Sequence, residues 1–144
     1  MNGGDGGAPA FVDTNVLVYA AARDDARRSP IAAELVQSLV ESRALRTSTQ
    51  VLAELFVTVT GKGRARLTAA EALDYLEWIA ASPVVLLDFP AIRAAIELSS
   101  SAKLSFWDAL IVVAAARCGA TRLYTEDLQH GRTILGVEVV NPFR

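Results

Sequence analysis

Cysteine occurs once in this chain of 144 residues, at Cys118, so no disulfide can form within it. No basic start, apolar stretch and small-residue cleavage site open the sequence either, and a reducing cytoplasm is the expected location. Histidine is as scarce, with His130 alone, which nearly excludes a reaction using two histidines as acid and base and leaves no His/Cys cluster for zinc. Long apolar runs are also missing. The strongest, residues 109–116, is bounded by Asp108 and Arg117, far short of the roughly 20 residues that cross a bilayer, so no membrane span is expected. A large positive charge is absent too: the net charge of -2 argues against a histone-like binder held to nucleic acid by bulk electrostatics, while leaving room for a local basic patch.

What the chain does have is apolar material. At 52% hydrophobic and 21% charged it can bury one sizeable core. Four of its nine glycines fall in the first seven residues, so residues 1–9 read as a flexible leader and residues 10–144 as one folded domain. Within that domain short apolar strands alternate with helical periodicity. Residues 10–13 read as a strand feeding a helix over 15–22, and 29–40 as a helix with Pro30 in its first turn. A strand follows at 45–47. Thr47 with Gln50 resembles a capping box opening a helix that stops at Gly61, and Thr68 with Glu71 opens another that ends before Pro83. Residues 84–87 then read as a buried parallel strand, 90–100 as a helix, 105–118 as a helix closed by Gly119, and 122–125 and 137–140 as the last strands. The expected class is α/β, a parallel sheet of about five short strands flanked by helices, with its ligands beyond the carboxyl ends of the strands.

Four carboxylates draw notice, each with an ordinary structural reading beside the chemical one. Asp13, in FVDTN (residues 11–15), sits at a strand-to-helix junction, where it can cap the helix or face the binding edge. Glu54, in QVLAEL (50–55), falls off the apolar arc of Val51, Leu55 and Val59 and taken alone is a surface glutamate. Asp108, in SFWDALI (105–111), opens a helix apolar nearly all round; an S-x-x-D capping box with Ser105 would satisfy it, and one oxygen could still face a cleft. Asp127, in YTEDLQ (124–129), follows a strand where Asp is a common turn residue; Glu126 beside it points elsewhere.

In that order and spacing the four motifs resemble the PIN domain, specifically the VapC-like toxins of bacterial toxin–antitoxin pairs, over about residues 10–142. The resemblance implies an endoribonuclease whose acidic quartet is Asp13, Glu54, Asp108 and Asp127, serving as catalytic residues and metal ligands, with Asn15, Ser105 and Thr125 as supporting polar groups. Carboxylates held close together repel unless a cation neutralises them, and an oxygen-only set favours Mg2+ or Mn2+ over zinc. Lys62, Arg64 and Arg66 form the segment expected to track RNA phosphates, with a solvated turn as its plain alternative. The resemblance also implies a homodimer and a cognate antitoxin protein that blocks the acidic groove. Helices opening at Ser29 and Thr68, with Trp78, are candidate surfaces for these. Two other readings compete: a phosphatase of the haloacid-dehalogenase type, disfavoured because Asn15 stands where a second Asp is needed, and a catalytically inert module that binds RNA or protein.

Overall fold

The first strand of the fold, β1 (Ala10–Val12), is buried throughout and sits in the middle of a six-stranded sheet. In the structure, a computed structural model, residues 7–61 and 66–144 are described. Helices α1 (Thr14–Ala22) and α2 (Arg28–Glu41) follow, then β2 (Leu45–Ser48), α3 (Thr49–Val59), α4 (Ala69–Ala80), β3 (Val84–Val85), α5 (Phe89–Ala102), α6 (Phe106–Arg117), β4 (Arg122–Tyr124), β5 (Thr133–Ile134) and β6 (Val137–Val140). The sheet order is β3-β2-β1-β4-β6-β5, parallel except for the β5–β6 pair. From β1 the chain builds β2 and β3 on one side and then crosses to β4 on the other. Such a reversal opens a crevice at the carboxyl ends of the two strands that flank it. The α/β class and largely parallel sheet are as the sequence implied.

Helix α6 is the central pillar. Ala109 through Ala115 are all buried, consistent with its lack of a polar face, and it packs against α5 and the sheet. It ends in a Schellman arrangement: the Gly119 amide donates to Ala116 O at 3.1 Å and the Ala120 amide to Ala115 O at 3.0 Å, with Gly119 at φ +72°. The reciprocal Thr68–Glu71 capping box is also present.

Several local expectations differ from the structure. The cap of α3 is Ser48, whose Oγ accepts from the Val51 amide at 3.3 Å; Thr47 stays in β2, pairs with Val84, and its buried hydroxyl has no hydrogen-bond partner among the described residues. Strand β3 has two half-buried residues and not four buried ones, because it is an edge strand paired only with β2, and Leu86 beyond it is exposed. The sheet gains a sixth strand, β5, through a two-residue turn in which Leu135 and Gly136 both have positive φ, 51° and 78°. Of the leader expected at residues 1–9, residues 1–6 lie outside the described residues, while the Gly7 amide donates to Ser42 O at 3.1 Å. No single described helix is long and apolar enough to cross a membrane.

Candidate active site

The crevice at the ends of β1 and β4 collects its polar side chains from four separate elements. Asp13 directly follows β1 and caps α1: its Oδ1 accepts from the Thr14 amide at 2.7 Å. The Asp13 amide donates to Tyr124 O at 3.0 Å, which extends the β1–β4 pairing to the point where the strands diverge. Its second oxygen, Oδ2, accepts from Thr125 Oγ1 at 2.9 Å. Both oxygens of this carboxylate thus accept a hydrogen bond, one from the helix start and one from the residue after β4.

Asp13 is only 6% exposed, and burial pushes its pKa up from 3.8 to about 6. The bonds from Thr14 and Thr125 work against that rise, while the negative charges of Asp127 and Glu54 add to it. The influence of Asp127 and Glu54 is the electrostatic mark of convergence: residues more than 40 and 110 positions away in sequence act on one buried group. Asp108 shows the same pattern. Its pKa is raised by burial first, then by Asp127 and Glu54.

Fully buried Thr125 is the hub of the crevice. Its hydroxyl donates to Asp13 and accepts from Asn15 Nδ2 at 3.2 Å and from the Asp127 amide at 3.1 Å. Asn15 Nδ2 also donates to Asp127 Oδ2 at 2.8 Å, and its Oδ1 accepts from the Glu126 amide at 3.4 Å. On the other wall, Glu54 Oε1 accepts from Thr14 Oγ1 at 2.8 Å and Oε2 from Gln50 Nε2 at 3.3 Å. At the start of α6, Ser105 Oγ accepts from the Asp108 amide at 3.1 Å. The expected capping box there is only half formed: no return bond from the Ser105 amide to the Asp108 carboxylate exists among the described residues, although the Ser105 side chain is hydrogen-bonded to that carboxyl and holds its pKa down against burial.

A cleft of about 830 Å3 opens over this network, lined by Glu54, Asp127, Thr14, Asn15, Asp24 and Arg66 among others. A second cleft of about 490 Å3 shares Ala53 and Glu54 with it and continues toward Trp107. Among the predicted site residues, Glu54, Asp127 and Asn15 line the larger cleft, while Asp13 and Asp108 line neither of the two. Thr125 bonds Asp13 and Ser105 bonds the Asp108 amide, and Asp13 and Asp108 feel Asp127 and Glu54 through their charges. Of the predicted phosphate-tracking residues, Lys62 and Arg64 lie outside the described residues, and Arg66 is half-buried at the cleft, paired with Asp24 at 3.0 Å. Glu126 faces away, accepting from Tyr19 Oη at 2.6 Å and Arg28 Nε at 3.2 Å. Two participants were not singled out from the sequence as site residues, Thr14 and Gln50. The signal for Gln50 was its i,i+4 spacing to Glu54; for Thr14 it was only a place between Asp13 and Asn15.

Among the described residues no three acidic, histidine or cysteine side chains are drawn together tightly enough to enclose an ion. The donor chemistry still suits a hard divalent cation. Every candidate ligand is a carboxylate or hydroxyl oxygen, His130 is engaged through Nδ1 with the Asn141 amide at 3.0 Å, and Cys118 lies at the far end of α6. The described hydrogen bonds to Asp13, Glu54 and Asp127 come from neutral donors, which orient carboxylates without cancelling their charge.

The family model described as the PIN domain matches residues 10–133. This chain belongs to the PIN-domain family. Among solved structures, PIN-fold relatives include VapC20 of Mycobacterium tuberculosis, described as a sarcin-ricin loop cleaving toxin, at 21% identity and a TM-score of 0.63 over 82% of this chain and 89% of that one. VapBC2 from Rickettsia felis, bound to a DNA fragment from its promoter, aligns at 18% identity and a TM-score of 0.64 over 90% and 96% of the two chains. FitAB bound to the IR36 DNA fragment aligns at 20% identity and a TM-score of 0.67 over 94% and 96%. These are likenesses of fold. No curated protein sequence matches the chain.

Proposed function

We propose that this PIN protein is a metal-dependent endoribonuclease acting as the toxin of a type II toxin–antitoxin module. The observation that carries the reading is Asp13: a carboxylate 6% exposed, capping a helix with one oxygen, raised to about 6 by burial, and exposed to two further negative charges. A fold retains such an arrangement at a strand-end crevice when an external cation completes it.

In this reading Asp13, Glu54, Asp108 and Asp127 hold Mg2+ or Mn2+ and are the catalytic residues. When bound, the ion supplies positive charge to the phosphodiester and acidifies water at neutral pH. The protein's own groups do the positioning. Thr125 fixes Asp13 and, through Asn15, Asp127; Thr14 and Gln50 fix Glu54; Ser105 holds the first turn of α6 and so places Asp108. Arg66 at the cleft contributes contacts to RNA phosphates, as do Lys62 and Arg64 of the same segment, whose positions lie outside the described residues. A cognate antitoxin with a basic side chain fits the same acidic opening. A homodimer is assigned to the faces of α2 and α4, where Ile31, Leu73 and Trp78 are exposed.

The test is incubation of purified protein with total RNA in Mg2+, Mn2+ or EDTA, beside the Asp13→Asn, Asp108→Asn double variant. Discrete metal-dependent fragments from the wild type alone are expected. Equal cleavage by the variant, or none by antitoxin-free wild type in either metal, would favour the second reading, an inert RNA- or protein-binding PIN module. One observation speaks for that alternative: Glu54 and Asp127 already have side-chain donors, Thr14 and Asn15, and no three acids are gathered among the described residues.

A further inference from the structure

Trp107 stands on the first turn of α6, beside Asp108, with 61% of its surface exposed. Ala109 through Ala115 of that helix are buried, so an exposed indole just before them is a departure that core packing does not explain. The ring is nonetheless braced: Phe106, itself packed on the core, meets it edge-on at 5.0 Å and 74°. Its backbone is tied toward the acids, since Gln50 Nε2 reaches both Trp107 O at 3.5 Å and Glu54 Oε2 at 3.3 Å. Trp107 forms one wall of the 490 Å3 cleft, with Leu87 and Leu110 as apolar neighbours and Gln50 and Glu54 at the polar end. That cleft and the acidic one meet at Ala53 and Glu54.

We infer that Trp107 is a stacking platform for a nucleobase of single-stranded RNA, seated in the cleft next to the acids and fixing which phosphodiester reaches them. The inference rests on the endoribonuclease reading and adds a residue that sets substrate position. Its physical basis is the charge balance of the site. A chain of net charge -2 with four acids at its crevice gains little from bulk attraction to phosphate, so non-electrostatic contacts must carry much of the grip. A flat, braced, half-exposed aromatic does this for any unstacked base, and single-stranded segments are the ones whose bases are free to leave the helix. The volume lies within the range of about 300–1,000 Å3 typical of small-ligand sites. The cleft's continuity with the acids favours the substrate over a protein partner as its occupant.

The experiment uses the full chain, with Trp107→Phe as the reference that reports Trp78 alone, and 12-nucleotide single-stranded oligo(A) and oligo(U) RNAs in Ca2+ to hold back cleavage. Quenching of Trp107 fluorescence on binding is expected. Trp107→Ala should weaken binding roughly tenfold or more, while Trp107→Phe retains most of it. With total RNA in Mg2+, Trp107→Ala should raise KM more than it lowers kcat and blur the cleavage pattern. RNA binding with unchanged fluorescence and equal affinity for Trp107→Ala overturns the inference while leaving the nuclease reading intact. So does conversion of a dimer to a monomer by Trp107→Ala at unchanged RNA affinity, which would make the face a protein interface. Absence of both binding and cleavage in the parent overturns the nuclease reading and this inference with it.

Discussion

Glu126 and Asp127 are neighbours in sequence, yet they belong to two acidic clusters of opposite character. Glu126 joins Asp25 around Arg28, whose guanidinium reaches both carboxylates at 3.2 and 3.4 Å and lies over the rings of Tyr19 and Phe143. There charge is answered within the chain: the backbone amide of Arg28 is the main cause of a lowered Asp25 pKa. Tyr19, donating to Glu126, is pushed up to about 12 by burial and that acceptor. Asp127 faces the other way, onto Asn15, with Asp13, Glu54 and Asp108 sharing the field, and the charges acting on Asp13 are negative ones. Similar residue types thus give one cluster whose carboxylates share an arginine and another whose described hydrogen bonds come from neutral donors. The difference teaches that the second cluster is oriented without being paired, the arrangement on which the proposed cation site rests.

The largest effect expected from breaking this contrast is on cleavage. Asp13→Asn or Asp108→Asn should lower the rate of metal-dependent RNA hydrolysis by on the order of a thousandfold, measured on an RNA gel, with the circular dichroism spectrum unchanged. Next comes a pH effect on stability. Because the folded-state pKa of Asp13, about 6, lies above its ordinary value of 3.8, the native state binds the extra proton, and this contribution is fully present below about pH 4 and lost as pH rises through about 6. Metal-free protein should therefore lose on the order of 1–3 kcal/mol across that window, and Asp13→Asn should flatten the dependence in thermal melts. A smaller effect belongs to the hub: Thr125→Val keeps the buried shape but removes the hydroxyl, and should cost about 10- to 100-fold in activity or metal affinity. The smallest lies in the compensated cluster. Arg28→Ala should lower the midpoint of denaturant unfolding only slightly and leave cleavage unaltered.

What the sequence offered of the candidate site rested on simple local chemistry. An aspartate after a strand and an aspartate opening an apolar helix are each constrained by their own neighbourhood, and with the motifs of Glu54 and Asp127 they resemble one family, while Asn15 and Thr125 entered only through that resemblance. Glycine at 119 and the Thr68–Glu71 pair marked helix ends for equally local reasons. What escaped depended on partners distant in sequence or on unusual backbone. The contacts of Thr14 to Glu54 and Gln50 to Trp107 exist only once α1, α3 and α6 are packed. Strand β5 was hidden because its turn places Leu135 at φ 51°, a conformation usually signalled by Asn or Gly. The half-formed Ser105–Asp108 box shows the converse: the motif gave the Ser105 cap of α6, while the return bond to the Ser105 amide is absent among the described residues.

The central claim is that the uncompensated cluster is a divalent-cation site, and the most direct test is calorimetric titration of Mn2+ into the metal-free chain at pH 7.5 and pH 5. Saturable binding at pH 7.5 is predicted, weaker at pH 5 where Asp13 takes up its proton, and reduced at least about tenfold by Asp13→Asn. Absence of saturable binding, or binding of equal strength in wild type and variant at both pH values, would contradict the account.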